Sequence, residues 1–180
     1  MDTRLFTADS IWTMVHGIVL GGGALLGLSA AIFSLGTMQV ADAADATARN
    51  QARFLGWLIA LLAILLWLTS LVGTYISFPA YRATAPEGLT DLSQYPRSLL
   101  QSNAGTVWLH SFAMEIKEHV PWIATMLATA VAFAAVRYRS RLLSDAPLRR
   151  LALLLLEICF VLVAALSLLG VFINKVAPLD

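Results

Sequence analysis

His16, His110 and His119 are the three histidines of a chain of 180 residues, 59% hydrophobic and 13% charged. Two of them fall in one stretch, HSFAMEIKEHVPW (110–122), which also carries Glu115, Lys117 and Glu118 directly ahead of a long apolar run. At about 100° per residue, Glu115, His119, Trp122 and Met126 share one helix face, as do Trp108 and Phe112; His110, Met114, Lys117 and Pro121 lie on the other side. His110 and His119 therefore point apart and cannot hold one ion from one straight helix. His16 sits one turn inside the first apolar run. Along its face follow Gly23, Gly27 and Ser34, a smooth strip that would let a second backbone, or a flat macrocycle, lie close.

Imidazoles offered from two helices of a bundle can hold haem iron, with a further acceptor orienting the other ring nitrogen. The sequence so read assigns His16 and His119 as axial ligands, with His110 as the alternative if the helix is rotated. Glu115 becomes the group that orients His119, Gly23 and Gly27 the bed for the ring, and Tyr75 and Trp122 the pocket wall. The layout is similar in architecture to four-helix b-type cytochromes. Met14 and Met114 could ligate copper, but methionines on apolar helices usually pack. Lys117 and Glu118 read most simply as solvated flank residues.

The elements that must position these residues are membrane spans. A soluble domain carries about 25% charged residues, well above this chain, whose mean hydropathy is +0.77. A spanning helix needs roughly 20 apolar residues, and four stretches qualify: 11–38, 54–81, 105–138 and 151–174. This predicts an all-α integral membrane protein, a single four-helix bundle with both termini on one side. Pro121, which has no N–H, predicts a break or kink at 117–121. A separate amphipathic helix over 104–118 is the alternative.

The connector 39–53 is Ala-rich and can extend its flanking helices. Pro86, Gly88 and Pro96 make 82–103 an extramembrane loop. Arg49, Arg53, Arg137, Arg139, Arg141, Arg149 and Arg150 stand against Arg4, Arg82, Arg97 and Lys175. That asymmetry places the basic loop 137–150 in the cytoplasm and the termini and the 82–103 loop outside. The start MDTRLF lacks the basic region of a secretory signal, so the first span is retained. Trp12, Tyr75, Tyr81 and Trp122 then fall near the outer boundary, and Trp57 and Tyr138 near the inner one.

Cys159 is alone in an apolar run and reads as a buried packing residue. Glu157, two turns into the last span, calls for an ion pair with Arg150, Arg53 or Arg137, or marks a proton or quinone site. No phosphate-binding loop, CxxC, CxxCH or nucleic-acid motif is present.

The leading functional expectation is a haem b-binding electron-transfer subunit of a bacterial-type inner membrane, linking the quinone pool to a redox protein. The quinone itself is a second candidate ligand. A cofactor-free accessory subunit of a larger membrane complex is the alternative. A metal or proton transporter using His110, Met114, Glu115 and His119 comes third, because a transport path needs polar groups at mid-depth in several spans.

Overall fold

The computed structural model describes residues 7–38 and 45–179, with Leu143 by its backbone alone. The expectations that rest on MDTRLF, on Arg4 and on positions 39–44 lie outside the described residues.

Regular structure among the described residues is entirely helical. Four helices are long and apolar enough to cross a membrane: Ala8–Thr37, Ala46–Tyr81, Leu109–Arg137 and Ala146–Val176, spans one to four below. Their starts follow from capping. Thr7 Oγ1 accepts from the Ser10 N–H, Asp45 from Thr47 and Asp145 from Leu148, each satisfying a donor of a first turn. Pro147 adds a preset backbone at the start of span four.

Each span packs on two neighbours. Span one touches two, two touches three, three touches four and four touches one, which leaves spans one and three across the diagonal. The buried positions explain the ring. They recur at alternating three- and four-residue steps: Gly21, Ala24, Leu28, Ala31, Leu35 in span one; Ala52, Leu55, Ile59, Leu62, Leu66 in span two. Spans three and four repeat the pattern with Ala124, Ala128, Val131, Ala135 and Ala152, Leu156, Cys159, Val163. A 3.5-residue repeat turns one stripe of each helix toward the common axis. Cys159 is fully buried, as expected, its Sγ 3.5 Å from the Ala124 carbonyl.

Alanine and glycine let the backbones approach, as membrane helices require when lipid outside is as apolar as the core. At Gly56 the neighbour is backbone: a Cβ there would lie 3.1 Å from the Ala135 carbonyl oxygen of span three. Hydroxyl contacts bind the same two spans: Thr125 donates to the Pro121 carbonyl and pairs with Ser70 at 3.1 Å, and Trp67 Nε1 donates to Thr129 Oγ1. Such bonds are worth about 0.6 kcal/mol each inside a bilayer.

Two details correct the expected boundaries. Span three is helical throughout from Leu109 to Arg137 and contains Pro121, so no separate helix precedes it. Its irregular hydrogen bonding falls earlier, in a π-helical turn at Leu109–Met114. Glu157 is exposed on span four and makes no ion pair among the described residues.

The 82–103 connector turns at Gly88, whose φ of 80° suits glycine. It then sends a short helix, Pro96–Gln101, across the end of the bundle with Pro96 and Leu100 buried. This loop end holds Ala8, Tyr81, Leu109 and Val176; the opposite, basic end holds the arginine-rich connector.

Gly56 yields a stability test. Gly56→Val should lower thermal stability by about 1–3 kcal/mol, because the obstructing atom is backbone. Gly36→Ala, where nothing lies within 4 Å, should change it by less than about 1 kcal/mol. Thermal unfolding in detergent compares the two.

Candidate functional site

Three of the four spans carry a π-helical stretch, and all three stretches lie at the loop end: Val15–Gly22, Gly73–Ser77 and Leu109–Met114. Such turns insert an extra residue and rotate the side chains beyond it; they often mark functional sites. Here they re-aim polar residues. In an α-helix Gly17 would sit beneath the buried Gly21. In the π-turn residue 16 does so instead: the His16 carbonyl lies 3.4 Å from where a Gly21 Cβ would be, and Gly17 faces outward.

The His16 ring packs with Cε1 foremost against span two. A Cβ at position 73 would lie 2.7 Å from His16 Cε1, so only glycine leaves room for the imidazole. The Thr69 backbone lies near the ring, while Nδ1 is buried without a partner. Lys117 occupies the inward register of span three, seven residues ahead of Ala124. Its Nζ rests on span four, 2.6 Å from where a Gly170 Cβ would be, and close enough to act electrostatically on His16. Among the described residues no carboxylate pairs with Lys117.

Further polar atoms gather at the same end. Ser77 Oγ and Arg97 Nε are buried without partners, and Tyr81 Oη lies 2.8 Å from His110 Nδ1. Arg97 and Glu118 are near enough to act on the Tyr81 hydroxyl. The polar residues are bracketed by two apolar layers. Below them in each span lies the main core, ending at Leu66, Ala124 and Val163. Above lies a smaller cluster of Tyr81, Leu100, Leu109, Met114 and Ile173. His16, Gly73, Lys117 and Gly170, each partly buried, form a polar layer between the two. Buried polar groups are almost always partnered, so the orphaned His16 Nδ1, within electrostatic reach of the unpaired Lys117 ammonium, is the candidate ligand contact of this end.

The expected site residues distribute unevenly. His16 is in this layer. His119 is exposed, its Nδ1 2.8 Å from the Glu115 carbonyl, so the Glu115 backbone and not its exposed carboxylate holds the ring. The structure thus does not bring His16 and His119 together; the inward face of span three is the one bearing His110, Met114 and Lys117. Gly23 and Gly27 pack under Leu65 and Leu62 of span two, which fill the space assigned to a macrocycle. Tyr75 is 70% exposed. Trp122 packs edge-on against Trp67 at 5.9 Å instead. Tyr81, placed by the sequence at the boundary, is buried on His110.

Lys117, Ser77, Arg97 and Tyr81 were not legible as site residues from a 3.6-residue period. One signal was available: Lys117 continues the 124–128–131–135 stripe backward through 121 and 117.

No family model, no curated protein and no solved structure matches this chain.

The fit of His16 on Gly73 gives a coupled test. Gly73→Ala should destabilise the protein by about 1–3 kcal/mol by expelling the ring. The double variant Gly73→Ala/His16→Ala should recover at least half of that loss, an interaction energy of about 0.5–3 kcal/mol. Strict additivity of the two substitutions in a thermal-unfolding cycle would contradict the contact.

Proposed function

We propose that this chain is a multi-pass membrane subunit for electron transfer that binds a quinone headgroup in the polar layer at its loop end. The observation that carries the reading is the unpartnered His16 Nδ1 beside an ammonium, Lys117, that has no carboxylate. A quinone carbonyl accepts from Lys117, and a quinol hydroxyl donates to Nδ1. The isoprenoid tail leaves between spans into lipid. The ring nitrogen is then a positioned acceptor for the proton released when the electrons pass to a redox partner. Charged and polar groups in membrane spans mark such paths.

A haem b reading is favoured by a different observation: Lys117 and Arg97, two cations without carboxylate partners among the described residues, suit the propionates of a haem ligated by His16. His110, held by Tyr81, sits seven residues before Lys117, about 10 Å along the span. It is therefore distant from the level of His16, and the haem would have one protein ligand.

Binding of a short-chain ubiquinone to protein in lipid discs, followed by tryptophan quenching, tests the proposal. Lys117→Met and His16→Ala should each weaken binding by about tenfold or more. Glu115→Gln and His119→Ala, both on exposed residues, should leave it unchanged. A Soret band with no quinone binding would favour haem. Colourless protein that binds neither would favour the accessory-subunit role.

The arginine asymmetry supports a cytoplasmic basic end, in a membrane proposed to be of the bacterial inner type. Reporter fusions after Ala46 and Pro147 should read cytoplasmic and one after Asp91 external; the reverse result would put the polar layer at the inner face.

A further inference from the structure

A cleft runs between spans two and three from the basic end toward mid-span, and it has two compartments that meet at Val136 and Arg137. The first, of about 430 Å³, is lined by Arg49, Arg53, Arg137 and Arg139, with Asn50 and Ser140 as added donors. Among the described residues no Asp or Glu lines it. Arg53 and Arg137 are exposed and form no ion pair among the described residues; the Arg139 side chain donates through Nε to the Val136 carbonyl, which fixes its direction. The second compartment, of about 630 Å³, is apolar. Its floor is Ala60, Ala63 and Ala132, and its walls are Trp67 and Phe133. Trp67 is held in place by its hydrogen bond to Thr129 and its edge-on contact with Trp122.

The dimensions select the occupant. From Arg53 to Trp67 is fourteen residues, about 21 Å of helix, of which the apolar compartment takes the last seven, Ala60 to Trp67, about 10 Å. One leaflet of hydrocarbon is about 15 Å deep, half of a 30 Å core. An arginine cluster that opens directly into an alanine-floored groove reaching about two thirds of the way through a leaflet complements a phosphate joined to an acyl chain. Arginine binds phosphate through paired N–H groups, and basic pockets between spanning helices take anionic headgroups. A soluble anion would leave the groove empty, and a zwitterionic lipid would bring a second cation among the arginines.

We propose that this cleft binds one anionic phospholipid, its phosphate on Arg53, Arg137 and Arg139 and one acyl chain in the groove against Trp67. The site is separate from the polar layer, at the opposite end of the bundle.

Phosphatidylcholine discs doped with phosphatidylglycerol brominated on its acyl chains test it, because bromine quenches tryptophan only in contact. The signal of Trp67 is the difference between the native protein and Trp67→Phe. Brominated phosphatidylglycerol should half-quench that signal at a several-fold lower mole fraction than brominated phosphatidylcholine. The triple variant Arg53→Gln/Arg137→Gln/Arg139→Gln should lose the preference, whereas Arg141→Gln/Arg150→Gln, outside the cleft, should keep it. Equal quenching of the native protein by both lipids would overturn the site, and that result needs no variant to fold. Equal loss in both variants would reduce it to diffuse surface charge. Abolition of the preference by inorganic phosphate at constant ionic strength would make it a soluble-anion site and overturn the lipid assignment.

Discussion

An imidazole lying against a glycine sets the terms for the loop end of this molecule. His16 can turn inward because residue 73 has no side chain, and the end of the flexible Lys117 side chain rests where a side chain at residue 170 would begin. Both contacts join different pairs of neighbouring spans, one to two and three to four. They fix how far each pair can slide, since a shift of one residue would drive a leucine or valine into the ring or the ammonium. The π-helical turns are the backbone's accommodation. They rotate His16, Ser77 and His110 relative to the regular stripes below, where alanine and leucine continue the packing without interruption.

Such a layer is costly in an apolar bundle. A lysine at the centre of a spanning helix costs about 2.5–3.5 kcal/mol even on insertion scales, and a buried polar atom without a partner costs about 1–3 kcal/mol. The main core supplies none of this; it consists of small and aliphatic residues with one hydroxyl pair, Ser70 and Thr125. Proteins retain local instability of this sort where activity requires it. Over the layer lie Leu100 and Pro96 of the connector helix, buried with Tyr81 and Leu109, and the low dielectric of their apolar side chains strengthens the electrostatic contacts beneath.

The four spans were legible because length and apolarity decide them. The expected ends at 11–38 and 151–174 moved outward by a few residues to capped starts, Thr7 and Asp145, that hydropathy does not weigh. The Ala-rich connector extended span two back to Ala46. The site was half legible. His16 stands out in its apolar run, but a 3.6-residue period, which the π-turn breaks, points it along Gly23 and Gly27, whereas the structure sets its carbonyl by Gly21 and its ring on Gly73. On span three the sequence points to the charge-rich face of Glu115 and His119. Near a membrane boundary those groups can reach headgroups, whereas Lys117 has its place inside; a rule learned from soluble helices, charge outward, misassigns it. Gly170 carries no sequence signal at all, since its role exists only once Lys117 is seen to reach it.

The central claim is that His16 presents a free ring nitrogen to a ligand in the polar layer. Nitrogen-15 NMR of histidine-labelled protein in lipid discs, titrated with short-chain ubiquinone, tests it most directly, the three signals being assigned by single substitution. The account predicts that the His16 ring resonances shift and saturate with the quinone, while those of the exposed His119 stay in place. An unmoved His16 alongside a shifting His119 would contradict it.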